Sequence, residues 1–156
     1  MTLSILGRAK AAGFTALVVT LDTFVVGWRP ADLDTAYLPF AAGDGIQVGT
    51  SDPVFMRHMG AAVRPDERPA FPLDLDAFRQ RVAGGDEQAV AEFRIVNGWL
   101  QETSSGLFRT WEELGFLRDN WDGPIVLKGI QSVDDAHAAM DARMDGVVVS
   151  NHGMLT

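Results

Sequence analysis

The sequence predicts an α/β fold built on parallel strands. Three short apolar runs carry that reading: "TALVVTL" (15–21), "PIVLKG" (124–129) and "GVVVSN" (146–151). Their β-branched, apolar content is that of strands buried on both faces. A helical pattern precedes each run, so the rhythm is αβ. Each run also finishes on polar residues: Thr20 and Asp22, then Lys128, then Ser150, Asn151 and His152. The C-terminal ends of parallel strands are where α/β folds keep their chemistry.

The elements follow in order. "LSILGRAKAAG" (3–13) has apolar residues at Leu3, Leu6 and Ala9 and closes on Gly13, so it reads as a helix with a glycine cap. From Gly27 to about Pro72 there is little periodicity and much Gly and Pro. "AAGDGIQVGTSDP" and "RPDERPAFP" read as loops. Two helices are expected near 74–83 and 86–100. About ninety residues thus separate the first strand from the second, a length uncommon for a connection without a function. Thr110 and Glu113 form a capping-box pattern before the next helix, and Ser132 and Asp135 form another. Right-handed crossovers between the later strands make them parallel.

Composition narrows the function. The 156 residues make one domain or part of a larger one, with 47% apolar residues and a net charge of -8. That charge disfavours nucleic acid and anionic membranes. With no cysteine, the chain has neither disulfides nor thiolate metal sites, which fits a reducing compartment. No apolar run is long enough to span a membrane, and no signal peptide opens the chain. A cytoplasmic location is the expectation.

An acid, a lysine and a histidine on one rim can make a site for proton transfer beside an anion. The pattern leaves a plainer reading open, in which Lys128 and Asp22 pair and His152 caps a turn. His58 reads as a loop residue and His137 as a surface residue. Trp99, Trp111 and Trp121 read as packing residues. The pairs Asp32/Asp34 and Asp74/Asp76 read as solvated. "GDGIQVG" lacks the spacing and preceding strand of a dinucleotide-binding loop.

"LVVTLDTFVVGWRPADL" and "GPIVLKGIQSVDDAHAAMDARMDGVVVSNHG" resemble the FMN-dependent 2-hydroxy-acid oxidases and dehydrogenases. The matching patterns are T-x-D-T-x-x-x-G-x-R, L-K-G and S-N-H-G, in that order, with Lys128 and His152 one βα unit apart. "GWRPADLDTAYLPF" is most similar to the lactate 2-monooxygenase branch. The resemblance implies a partial (β/α)8 TIM barrel, FMN as cofactor and a small 2-hydroxy acid as substrate. Lactate is the first expectation, and mandelate or another 2-hydroxy acid the alternative. It further implies that His152 is the catalytic base and a substrate ligand, with Asp22 stabilising its protonated form. Arg29 would bind the substrate carboxylate, and Thr20 and Lys128 would contact the flavin.

The resemblance also implies that residues 1–156 are a central fragment of such a domain, with 26–109 as the long active-site loop and its helices. Where the family continues S-N-H-G-G-R, this chain reads Met154, Leu155 and Thr156, an abrupt departure that favours a break in the reading frame. The chain alone is therefore expected to be inactive, and the alternative from another class is a non-catalytic remnant protein. A family-type homo-oligomer is expected only of the full-length enzyme.

Overall fold

The computed structural model describes residues 1–23, 30, 34–35, 45–64, 74–104, 106 and 109–153. In chain order the elements are α1 (Thr2–Ala11), β1 (Leu17–Thr20), α2 (Gln47–Thr50), α3 (Pro53–His58), α4 (Leu75–Ala83), α5 (Glu87–Thr103), α6 (Leu114–Asn120), β2 (Ile125–Ile130), α7 (Val133–Asp141) and β3 (Gly146–Val149). They form two compact units. One is Thr2–Arg29 with Gly106–Thr156, and the other is Met1 with Pro30–Ser105.

The first unit holds a three-stranded sheet in the order β1–β2–β3, parallel throughout. Alternate residues of a strand face opposite sides. Leu17 pairs with Ile125 and Val19 with Leu127, and these share the side that packs on Leu6, Leu114, Trp121, Ala139 and Met144. Ile125 and Leu127 are fully buried, each worth about 1.5–3 kcal/mol relative to exposure. The opposite side carries Val18, Thr20, Lys128 and Val148, side by side by register. Val18 is 55% exposed there, so one face of the sheet is packed and the other is open.

Local signals set the helix ends. After α1, the Gly13 N–H reaches the Lys10 carbonyl and the Phe14 N–H the Ala9 carbonyl, with Gly13 at φ 81°. This paired closure is the one that a glycine after the last turn predicts. The helix α7 closes the same way, from Arg143 to Met140 and Met144 to Ala139, but with arginine in the left-handed position at φ 60°. At its start, the Ser132 hydroxyl accepts from the Asp135 N–H at 3.0 Å, as its capping box predicts. The Glu113 carboxylate accepts from the Thr110 N–H at 2.8 Å, half of the other expected box. Residues 111–113 close instead through tighter i→i+3 bonds, which delays α6 to Leu114.

The second unit corrects the reading of 27–72 as loop at Gln47–Thr50 and Pro53–His58, which are helical, while 61–64 are irregular and 65–72 lie outside the described residues. Helix α3 starts at Pro53, and the buried Asp52 carboxylate caps it by accepting from Val54 N and Phe55 N, both at 2.9 Å. An aspartate followed by proline is a helix-start signal in its own right. Phe55 meets Trp99 of α5 edge-on at 5.4 Å, and Gly49 lies so close to the Trp99 ring that no side chain would fit. His58 ends α3 rather than lying in a loop, because the Asp52 cap extends regular structure to it. Asp74 caps α4, and Asp76 pairs with Arg79 at the surface. Trp99 and Trp121 are buried as expected, and His137 is exposed on α7. Trp111 is 36% exposed, contrary to expectation, because it lies in the turn ahead of α6 rather than on its inward face.

Candidate active site

The C-terminal ends of three parallel strands and the loops after β1 and β3 build the site. The ladder between β1 and β2 continues one residue past Thr20, with the Leu21 N–H on the Lys128 carbonyl at 2.8 Å. The chain then turns and delivers Asp22. Lys128 stands beside Thr20 in register, near the end of β2. Regular pairing stops at Val149, two residues earlier than the predicted 151, because the next side chains bond their own backbone. The Ser150 hydroxyl accepts from His152 N, and the Asn151 side-chain oxygen from Gly153 N, both at 3.0 Å. Such i→i+2 bonds make tight turns. Here they hold His152 at φ 61°, a left-handed conformation costing about 1–2 kcal/mol for a side-chain-bearing residue.

The three side chains converge on one atom. His152 Nδ1 lies 3.0 Å from Asp22 Oδ1 and 2.8 Å from Lys128 Nζ, and Lys128 is 3.7 Å from the same carboxylate oxygen. A ring nitrogen carries either a proton or a lone pair. Lys128 can only donate and ionised Asp22 can only accept, so Nδ1 cannot satisfy both at once. Burial decides between them. The Asp22 side chain is 8% exposed, and its Oδ2 has no hydrogen-bond partner among the described residues. Leaving a buried charge without its partner costs about 3–5 kcal/mol. The lysine is the more exposed of the two and has a flexible stem, so it can turn away at little expense. The favoured arrangement has Nδ1–H donating to Asp22, which leaves the Nε2 lone pair for a proton from outside. Burial pushes the Asp22 carboxyl up. The His152 hydrogen bond and then the Lys128 charge outweigh it and hold the group below its ordinary value of 3.8.

Thr20, Asp22, Lys128 and His152 therefore meet at one rim, and the plainer pairing of Lys128 with Asp22 alone is replaced by a three-way contact. Arg29 lies outside the described residues. Sequence reasoning missed Gly129, which sits at φ 107° where the β2–β3 register shifts, with Asp22 packed against it. A lone glycine at the end of a strand pattern signals such a bulge or close approach. It also missed the turn roles of Ser150 and Asn151, although both residue types form these turns.

A buried carboxylate against an imidazole, beside a lysine at the C-terminal rim of a parallel sheet, is an arrangement that can carry out acid–base chemistry. The chain belongs to the FMN-dependent dehydrogenase family, whose sequence pattern matches residues 1–154. It is 45% identical over 151 residues to an FMN-dependent alpha-hydroxy acid dehydrogenase of Penicillium citrinum, covering 97% of this chain and 32% of that protein. It is 34% identical over 149 residues to an L-lactate dehydrogenase of Pseudomonas aeruginosa, covering 95% of this chain and 36% of the other. A solved mandelate oxidase with benzoyl-formic acid superposes with a TM-score of 0.51 at 25% identity, covering 98% of this chain and 29% of that one. The chain thus spans about a third of the length of the relatives it matches. Its three parallel strands and their helices are part of a TIM-barrel architecture.

Proposed function

We propose that this chain contributes the acid–base part of a site that oxidises a small L-2-hydroxy acid, with lactate as first substrate, to its 2-keto acid. The observation that carries the reading is the Asp22–His152 contact at the rim, with Lys128 beside it. Bound FMN would supply the two-electron acceptor. The donor chemistry of the rim fits the ring of that cofactor. A lysine and a threonine stand side by side at one end of an open face that includes Val18 and Val148. A flat ring with a polar edge needs donors at the edge and apolar surface beneath it.

His152, with Nδ1–H on Asp22, would use Nε2 to take the hydroxyl proton of the substrate, while the C2 hydrogen and its electron pair would pass to the acceptor that bound FMN supplies, leaving the 2-keto acid. Asp22 stabilises the resulting imidazolium. Such a base contributes about 10²–10⁴-fold. Lys128 and Thr20 would hold the flavin edge, and Arg29 would bind the substrate carboxylate with its planar fork. The lactate reading is supported by the Pseudomonas relative and by the "GWRPADLDTAYLPF" stretch. The mandelate oxidase neighbour favours a larger acid as the second reading. The absence of cysteine fits a reducing, cytoplasmic setting. Among the described residues no helix is long and apolar enough to cross a membrane. We further propose that residues 1–156 by themselves turn over no substrate and hold FMN weakly, since they span about a third of their relatives.

The test is anaerobic addition of L-lactate or mandelate to the full-length protein, followed by product analysis in air. Bleaching of the flavin by one of them is expected. Acetate and CO₂ from lactate would mark the monooxygenase branch, and pyruvate the oxidase or dehydrogenase branch. Failure of every 2-hydroxy acid to bleach the flavin would end the proposal. Substrate turnover by residues 1–156 alone would overturn its last part.

A further inference from the structure

We propose that Gly129 is a positioning residue for the base, acting only through Asp22. Three observations meet at this glycine. Its φ is 107°, a conformation that side-chain-bearing residues rarely adopt. The register between β2 and β3 shifts between Lys128 and Ile130, so Gly129 is the residue accommodated by the bulge. A Cβ built on it would lie 2.9 Å from both Cβ and Cγ of Asp22 and 3.1 Å from the Asp22 backbone nitrogen. Bulges next to active sites re-aim side chains. This one also clears the space into which the carboxylate folds.

The collision has few ways to resolve. The backbone just ahead of Asp22 is pinned by the Leu21 N–H on the Lys128 carbonyl at 2.8 Å. Aspartate is short, so relief at Cβ and Cγ must move the carboxylate itself. The Ser150 and Asn151 turns hold the backbone of His152 and Gly153 on the other side. A side chain at position 129 therefore opens the 3.0 Å contact between Asp22 and Nδ1 and deprives the imidazole of its orienting partner.

This inference rests on the reading of His152 as the base, and the experiment separates the two. Gly129→Ala, Asp22→Asn, their double variant and Gly13→Ala are made in the full-length FMN-bound protein. Gly13 has φ 81° with nothing within 4 Å of its Cβ position. Its alanine variant therefore measures the backbone cost alone. Gly129→Ala is expected to lower kcat about 10–100-fold, the scale of an ångström's misplacement, with KM little changed. In the Asp22→Asn background it should lower kcat no further. Histidine-selective 15N NMR gives a readout without turnover: the His152 Nδ1–H signal should weaken in Gly129→Ala as in Asp22→Asn, and persist in Gly13→Ala. Normal kcat in Gly129→Ala, or an equal loss in the Asp22→Asn background, overturns the proposal. An intact Nδ1–H signal in Gly129→Ala overturns it as well, even if the variant is unstable. If Asp22→Asn itself keeps full activity, the base reading fails instead.

Discussion

Both ends of the sheet place an aspartate against a basic side chain, and they use it differently. At the N-terminal end Asp145 precedes β3. Its Oδ2 accepts from Arg118 at 2.6 Å and from the Ile125 N–H, the first of β2, at 2.8 Å. Arg118 also donates to the carbonyls of Arg143 and Gly123. One arginine thus ties α6, the start of β2 and the turn into β3 together. At the C-terminal end Asp22 is far more buried, 8% exposed against 46% for Asp145. Its partner, His152, keeps Nε2 outside both contacts and sits in a strained left-handed conformation. A pair whose bonds are spent on backbone groups holds the fold. A pair that leaves one nitrogen uncommitted, on a backbone costly to maintain, fits the acid–base role proposed for it.

The largest effect should come from the chemical end. His152→Gln in the full-length protein is expected to lower turnover about 10²–10⁴-fold while leaving its melting temperature nearly unchanged. A large loss of stability with little loss of turnover would erase the contrast between the ends. The reverse pattern is expected of Arg118→Ala. It removes three hydrogen bonds and should lower unfolding free energy by about 1–3 kcal/mol in urea titration, with turnover per folded molecule unchanged.

Acid sharpens the comparison, because both aspartates are held below the ordinary carboxylate value of 3.8. At Asp145 the Ile125 N–H is the main cause and Arg118 the next. For a carboxyl lowered in the folded state, the unfolded chain binds protons first. The stabilisation is therefore complete above about 3.8 and is lost as pH falls through the folded values. Unfolding midpoints measured against pH should decline below about 4. Asp145→Asn should flatten that decline without changing turnover, and Asp22→Asn should flatten it while lowering turnover. The smallest effect is expected of Arg143→Gly. It relieves the left-handed φ of 60° after α7 and should raise stability by about 1 kcal/mol.

The C-terminal half of this contrast was legible from residue types alone. The three strands follow from β-branched runs, but the burial on both faces that such runs predict is not seen, since Val18 is 55% and Val149 80% exposed. The ends of those runs located Thr20, Asp22, Lys128 and His152, since parallel strands bring their C-termini to one rim. What escaped had a local cause or a non-local one. Asp52 and Pro53 signal a helix start, but the segment is too short for a periodic pattern to confirm it. Arg118 and Asp145 lie 27 residues apart and meet only once the strands align, so no spacing rule joins them. Gly129 was visible as a glycine at a strand end, yet its use depends on Asp22, which is more than a hundred residues away in the chain.

The most direct test is rapid mixing of the full-length FMN-bound protein with L-lactate, without oxygen, in the wild type and in His152→Gln. The account predicts prompt bleaching of the flavin in the wild type and bleaching slowed about 10²–10⁴-fold in the variant. Equal rates in the two proteins would contradict the assignment of His152 as the base.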